Sequence, residues 1–421
     1  MQPFQYRGRE LFAEDVSLLN LARRYGTPLY VYSHQALRSR YQALKKAFAS
    51  ARPLICYSMK ANSSLGFIRA LVRQGAGVDI VSGGELKKAL RAGVPASKIV
   101  YASVGKTPQE IRAALRAKIY SFNVESIGEL EQIHQVAKSL RLRQRVALRL
   151  NPEVDPHTHH FISTGRKQDK FGMHAKQVLR ILSDAKRYPH LAITGLHIHI
   201  GSQITTAGPF QTAIRKALRV IEQARRKGAR IDALNIGGGF GIVYRDEKPK
   251  SAARLAKAIL PLLRRKNLKL ILEPGRFIAG NSGVLLTQVL YIKQKPSKRF
   301  AIVDAGMNDL VRPSLYDAHH EILPVVPRPN QTKSTHRYDI VGPVCESGDF
   351  LAKARSMPPL SPGDLLSVMS AGAYGFVMAS NYNSRTRPAE ILVNKSQVYL
   401  IRRRERQEDL TRGEIIPSFL K

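Results

Sequence analysis

Four short stretches concentrate the residues that could do chemistry. YSMKAN places Lys60 directly after an apolar run, and HIHIGSQ sets His197 and His199 two residues apart, on one face if the strand continues through them. NIGGGFG (235–241) carries Gly237, Gly238 and Gly239 in a row, and EPGR (273–276) ends another apolar run with Glu273, Gly275 and Arg276. Glycines lack Cβ atoms, so their backbone N–H groups can approach an anion closely, and a phosphate would suit such a loop. A lysine facing a phosphate suggests a Schiff base to pyridoxal phosphate, because a desolvated amine condenses with the cofactor aldehyde. Simpler readings compete: a tight turn for the glycines, and an ordinary surface lysine in a chain with 68 basic residues. The neighbouring EPGR weighs against the first, and the apolar strand before Lys60 against the second. The paired histidines are also compatible with zinc, but no third ligand stands at a fitting spacing, which favours packing on an aromatic cofactor.

Positioning these residues requires a scaffold that presents strand ends side by side. Eight apolar or β-branched runs supply it: PLICYS (53–58), GVDIV (77–81), KIVYA (98–102), KIYSF (118–122), RVALRLN (145–151), LAITGLHIHI (191–200), IDALNIGG (231–238) and LKLILEP (268–274). Segments of helical period lie between them, such as SLGFIRALVRQ (64–74), GELKKALRA (84–92) and TPQEIRAALRA (107–117), each with Ser, Thr or Gly where a helix should begin. Eight strand-then-helix units predict an α/β fold, a (β/α)8 TIM-like barrel, whose reactive groups belong at the C-terminal strand ends and whose phosphate sites often use the loops after strands 7 and 8. Lys60, Asp79, Ser82, His197, His199 and both glycine motifs fall at those ends. After about residue 285 the runs TQVLYIK (287–293), RFAIVDA (299–305), RYDIVG (337–342), LLSVMS (365–370) and QVYLI (397–401) lack long helices between them, predicting a C-terminal β-rich domain. The expected division is 1–30 as an N-terminal segment packing with the β domain, 31–285 as the barrel and 286–421 as the β-rich domain. PVVPRPNQTKSTHR (324–337) has the composition of an exposed loop.

Composition narrows the function classes. The 421 residues are 43% hydrophobic and 24% charged, ordinary values for a folded chain. Cys56 and Cys345 are the only cysteines, which excludes a disulfide framework or a cysteine-rich zinc site and fits a reducing compartment. No signal peptide or membrane-length apolar stretch stands out, so a cytoplasmic location without membrane attachment is expected. The net charge of +37 raises polyanions as partners. The basic residues spread over many helical faces, and the densest run, RRR at 402–404, has no nucleic-acid motif beside it; no specific nucleic acid is expected.

Nine blocks then match one family in its own order: YSMKAN, GVDIVSGGEL, NPEVDPHTHHFISTG with KFG, HIHIGSQ, NIGGGFGI, EPGR, GMNDLVRPSLYDAHH, VGPVCESGDF and GAYGFVMASNYNSRTRPAE. Over nearly its whole length the chain resembles the diaminopimelate decarboxylases, fold-type III pyridoxal-phosphate enzymes with an alanine-racemase-like barrel. The resemblance implies a carboxy-lyase converting meso-2,6-diaminopimelate to L-lysine and CO2, the last step of lysine biosynthesis. It implies that Lys60 holds pyridoxal 5'-phosphate, His199 packs on its ring and Glu273 pairs with its ring nitrogen, with Asp79 also among the cofactor residues. Ser202, Gly237, Gly238, Gly239, Gly275, Arg276 and Tyr374 match the phosphate cradle. Arg276, Arg312 and Tyr316 match residues gripping the substrate's distal carboxylate, with Tyr374 beside them, and Glu346 the acceptor for the distal ammonium. Cys345 matches the acid that protonates the carbanion, supplied across a homodimer with shared sites; a small buried hydrophobe is the plain reading of a lone cysteine.

Two departures remove acid: Ser370 and Ala354 stand where the family commonly has aspartate, and neither belongs to the residues just named. Related decarboxylases acting on ornithine, arginine or carboxynorspermidine form one alternative, distinguished by a substrate that gives Arg276 and Arg312 no distal carboxylate. A non-catalytic polyanion-binding protein on the same fold is another, against which the intact Lys60, Cys345 and Glu346 argue.

Overall fold

The computed structural model describes residues 3–155, 165, 169–327 and 335–420; most of the block 151–165 (residues 156–164) and half of the connection 324–337 (residues 328–334) lie outside the described residues. Two compact units emerge, one formed by Leu37–Ile278 and the other by Met1–Ala36 with Ala279–Lys421.

Within Leu37–Ile278 the eight runs form eight parallel strands: β1 (Leu54–Ser58), β2 (Gly77–Ile80), β3 (Ile99–Ala102), β4 (Ser121–Val124), β5 (Gln144–Arg149), β6 (Leu191–His197), β7 (Ala233–Asn235) and β8 (Lys269–Leu272). The sheet closes where β8 pairs back onto β1, Ile271 opposite Leu54 and Leu272 opposite Ile55, which is the (β/α)8 barrel the alternation predicts. Every residue of β2, β3 and β4 is buried, as strands covered on both faces must be. The helices between them start where the sequence caps them. Thr107 and Glu110 form a reciprocal capping box, and Ser82 and Ser126 accept from the N–H groups of Glu85 and Glu129. Each cap contributes about 1 kcal/mol, and fixing a helix start also fixes the loop before it, where the strand ends.

The other unit is β-rich. The five expected runs lie in the strands Gly283–Gln294, Arg299–Val303, His336–Val341, Leu365–Val368 and Gln397–Arg402. Phe350–Met357 and Ala389–Asn394 are further strands that the sequence reading passed over. The strand Leu29–Ser33, straddling the expected boundary at residue 31, runs antiparallel to Gly283–Gln294 and parallel to Ala389–Asn394. All five of its residues are buried, and Leu29 and Val31 share a core with Val284, Leu286, Ile391 and Val393. The buried Glu14 closes this core, accepting from the Ser33 hydroxyl and from the N–H groups of Gln35 and Lys395.

Candidate active site

The C-terminal ends of the barrel strands gather most of the expected residues. Lys60 lies in a short 3-10 turn, Met59–Ala61, directly after β1, and its Nζ donates to Asp79 Oδ2 at the end of β2 (3.1 Å). The lysine side chain is 39% exposed, while Asp79 is fully buried. The same Oδ2 accepts from the Ser58 hydroxyl at 2.6 Å, and Asp79 Oδ1 has no partner among the described residues. Burial pushes the Asp79 carboxyl up; the Lys60 ammonium and the Ser58 hydroxyl oppose that.

Glu273 follows β8 and faces inward. Its Oε1 accepts from Asn123 Nδ2 at the end of β4 (2.8 Å) and from Asn235 Nδ2 at the end of β7 (2.5 Å), and its Oε2 lies 3.3 Å from His197 Nε2. Burial alone would raise this carboxyl, but His197, Lys60 and Asn235 together hold it well below the usual carboxylate range. Glu273 is therefore an ionised carboxylate in a buried site.

The expected strand face shared by His197 and His199 is corrected by the structure. β6 ends at His197, so the two-residue alternation stops there and the histidines divide the work. His197 supports Glu273, whereas His199 Nδ1 accepts from the Gly238 N–H at 3.2 Å. Burial, with Arg149 and Lys60 nearby, lowers the His199 pKa well below its ordinary value, giving a neutral imidazole protonated on Nε2.

The glycine loop is shaped by close approach. A Cβ on Gly238 would stand 2.1 Å from the Glu273 carbonyl oxygen, and one on Gly239 would stand 2.4 Å from that of Gly201. Gly237 and Gly239 also have φ of 68° and 94°. The Gly237 N–H is occupied by Asn235 Oδ1 (2.9 Å). Gly275 packs against Ser58 and Ala61, and the Ser58 N–H donates to the Pro274 carbonyl, which ties EPGR to the end of β1. Arg276 is buried, with Nε donating to the Ser202 hydroxyl (3.1 Å) and Nη1 to the Tyr244 hydroxyl (2.6 Å). A guanidinium, a hydroxyl and a glycine turn thus converge after β6, β7 and β8.

The remaining expected residues belong to the β-rich unit. Arg312 and Tyr316 open and close the short helix Arg312–Tyr316. Arg312 is buried, and its Nη1 donates to His320 Nε2 (2.7 Å), whose ring bonds the Met369 carbonyl through Nδ1 (2.8 Å). Cys345 and Glu346 are exposed. Their loop is held by buried Asp349, which accepts from the N–H groups of Val344 (2.7 Å) and Met307 (2.6 Å). Asn383 accepts from the Cys345 N–H (2.9 Å), the Tyr382 hydroxyl donates to Glu346 (2.8 Å), and the Ser314 hydroxyl donates to the Gly348 carbonyl (2.5 Å), joining loop to helix. Tyr374 adopts a left-handed φ of 57°. Cys56, in contrast, is buried in β1, and burial raises its thiol pKa well above the ordinary value.

Residues 34–280 match the pyridoxal-binding domain of pyridoxal-dependent decarboxylases. The chain is 48% identical to the diaminopimelate decarboxylase of Pseudomonas aeruginosa over 98% of its own length and 99% of that protein's. The chain belongs to the diaminopimelate decarboxylase family. Among solved structures, the Helicobacter pylori diaminopimelate decarboxylase in complex with L-lysine is 40% identical, covers 94% of this chain and 98% of its own, and superimposes with a TM-score of 0.91. The M. jannaschii diaminopimelate decarboxylase, also in complex with L-lysine, reaches 0.94 at 36% identity over 99% of both chains.

Pyridoxal phosphate is the cofactor of this family, and the barrel end fits it. The site offers a reachable amine on Lys60, an ionised carboxylate on Glu273, a neutral imidazole on His199 and a guanidinium–hydroxyl pair beside a turn too tight for any Cβ. The sequence reading missed Asn123, Asn235, Arg149, Tyr244, His320, Asp349 and Asn383. Asn123 and Asn235 carry a usable signal, polar residues at the C-terminal ends of otherwise apolar strands. Tyr244 and Asn383 act through contacts distant in sequence, whereas His320 lies only eight residues from Arg312.

Proposed function

We propose that the chain decarboxylates meso-2,6-diaminopimelate to L-lysine and CO2. The observation that carries this reading is the Lys60–Asp79 pair, the Glu273 carboxylate and the Arg276–Ser202 pair at one barrel end, in a chain of this family. Bound pyridoxal phosphate supplies an electron sink for the pair left behind by CO2. Lys60 would hold the cofactor, and Asp79 keeps the amine oriented. Glu273, kept ionised by Asn123, Asn235 and His197, would pair with the ring nitrogen and favour its protonated form. His199 presents an uncharged ring face for packing. Arg276, Ser202, the glycines 237–239, Gly275 and Tyr374 would cradle the phosphate.

In this reading Arg276, Arg312 and Tyr316 bind the distal carboxylate and Glu346 the distal ammonium, for which a guanidinium fork and a carboxylate are the matching groups. Cys345 Sγ delivers the proton to the carbon that lost CO2, acting as the general acid. Proton delivery to a carbanion needs shelter from water, and the exposure of Cys345 and Glu346 in the single chain supports a homodimer that covers them. Two free thiols support a reducing, cytoplasmic setting. Among the described residues no helix is long and apolar enough to cross a membrane.

The test is CO2 release from meso-diaminopimelate, with ornithine and arginine in parallel and Lys60→Ala as control. Turnover of diaminopimelate alone, lost in Lys60→Ala, is the expected result. Turnover of ornithine with none of diaminopimelate would overturn the substrate assignment.

A further inference from the structure

The opposite end of the barrel carries a feature that the decarboxylation does not use. Around the N-terminal ends of β1, β5 and β8 and the C-terminal end of the helix Ala252–Leu263 lies a cleft of about 1140 Å³. Six cations line it, Arg52, Arg145, Lys257, Arg264, Arg265 and Lys269, and Asp232 is the one carboxylate among the described lining residues. Asp232 is engaged in an ion pair with Arg145, whose guanidinium also lies 5.3 Å from the centre of the Tyr120 ring. Five cations therefore face the cleft with no acid of its lining to neutralise them.

This wall is built, and part of it is strained. Arg225 donates to the carbonyls of Lys266, Asn267 and Ile231, which pins the loop carrying Arg264 and Arg265, and Lys269 Nζ donates to the Arg52 carbonyl at 3.0 Å. Arg52, Arg265 and Asn267 hold left-handed φ values of 44°, 59° and 50°. Glycine would adopt that conformation without steric cost, yet two of the three positions carry arginine. The volume exceeds what a single phosphate needs and matches a drug-sized or larger ligand. Leu260, Leu263 and Leu268 give part of the lining an apolar character.

We propose that this cleft binds a small oligophosphate, a molecule with three or more linked phosphate groups, at a site separate from the cofactor cradle. Several cations with no competing carboxylate favour a ligand of several adjacent negative charges, and guanidinium groups pair with phosphate oxygens in two places. Inorganic tripolyphosphate and a nucleoside triphosphate share that chemistry.

The experiment is calorimetric titration of the full-length holoenzyme, whose bound pyridoxal phosphate keeps the cofactor cradle filled, with tripolyphosphate and separately with ATP at physiological ionic strength. Saturable binding at one site per chain is expected. Arg264→Ser combined with Arg265→Asn should weaken it at least about tenfold. Asparagine tolerates the left-handed position, so the fold is preserved. Arg215→Ser with Arg219→Ser removes the same charge from an exposed helical face and should leave the affinity within about twofold. Tighter binding of ATP than of tripolyphosphate supports the site and names a nucleotide as its occupant, while equal binding supports it with the phosphate chain alone recognised. Absence of saturable binding, or equal weakening by the control pair, overturns the proposal. So does binding of a single-stranded oligonucleotide without binding of tripolyphosphate.

Discussion

Replacing His320 by leucine should weaken diaminopimelate binding far more than it slows turnover. His320 is fully buried between Arg312 Nη1 at 2.7 Å and the Met369 carbonyl at 2.8 Å. A guanidinium only donates and a carbonyl only accepts, so the ring is neutral, with its proton on Nδ1 and its lone pair aimed at Arg312. Leucine removes both bonds and leaves a buried guanidinium N–H without its acceptor. A hydrogen bond to a charged group contributes about 1.5–3 kcal/mol, which corresponds to about 10- to 150-fold in an equilibrium constant. If Arg312 grips the distal carboxylate, that factor should appear mainly in KM, with kcat changing less than about threefold, because the reacting carbon lies away from the gripped end. His320→Gln places an amide oxygen near the former Nε2 and should recover most of the loss. Steady-state CO2 release over a wide substrate range gives both constants, and thermal melts show that each variant is folded. A folded His320→Leu with unchanged KM would refute the argument.

Further expectations follow from single sites. Burial raises Glu85 from 4.5 to about 7 and Asp309 from 3.8 to about 7, so between those limits the folded chain keeps protons that the unfolded chain has lost. Stability should therefore fall as pH rises from about 4 to 7, and Glu85→Gln with Asp309→Asn should flatten that slope in melts across the range. Ala354 holds a φ of 48°, where the Cβ clashes with its own backbone. Ala354→Asn should add roughly 0.5–1 kcal/mol in denaturant unfolding and Ala354→Val should subtract stability. Asn123→Leu removes one donor from Glu273 and should lower pyridoxal-phosphate retention on dialysis by about tenfold, read from cofactor absorbance. Cys345→Ala should reduce kcat strongly in a variant that thermal melts show to be folded.

The barrel was legible because its strands are continuous apolar runs, punctuated by caps such as Thr107 and Ser82 whose physics is local. Lys60, Glu273 and Arg276 were legible for the same reason: they stand immediately after such runs. Periodicity misplaced His199 on a strand face shared with His197, because β6 stops two residues before it. The β-rich unit was harder to read. LYVYS at 29–33 is as apolar as any barrel strand, and nothing local says that its partners are Gly283–Gln294 and Ala389–Asn394, more than 250 residues away. Asp349 and Asn383 share this difficulty, since Met307 and Cys345, 42 and 38 residues away, are brought near them only by the folded chain.

The same distinction explains where this strongly basic chain keeps its acids. Glu14, Asp79, Glu125, Glu273, Asp309, Asp349 and Glu390 are all buried. Glu14, Glu125, Asp309 and Asp349 accept from backbone N–H groups, and Glu390 accepts from the Tyr32 hydroxyl and from Arg402. Removing any of them orphans a buried donor at a cost of about 1–3 kcal/mol, whereas removing an exposed acid costs within about 0.5 kcal/mol. A surface drifting or selected toward positive charge therefore sheds exposed acids and spares these. The two positions where the resemblance leads one to expect aspartate, Ser370 and Ala354, have their local hydrogen bonds met without an acid. Ser370 Oγ accepts from Asn281 Nδ2, and at Ala354 the backbone N–H donates to Asp339. The net charge is thus concentrated where folding exerts least control, and at the N-terminal end of the barrel the fold gathers part of it into a cleft.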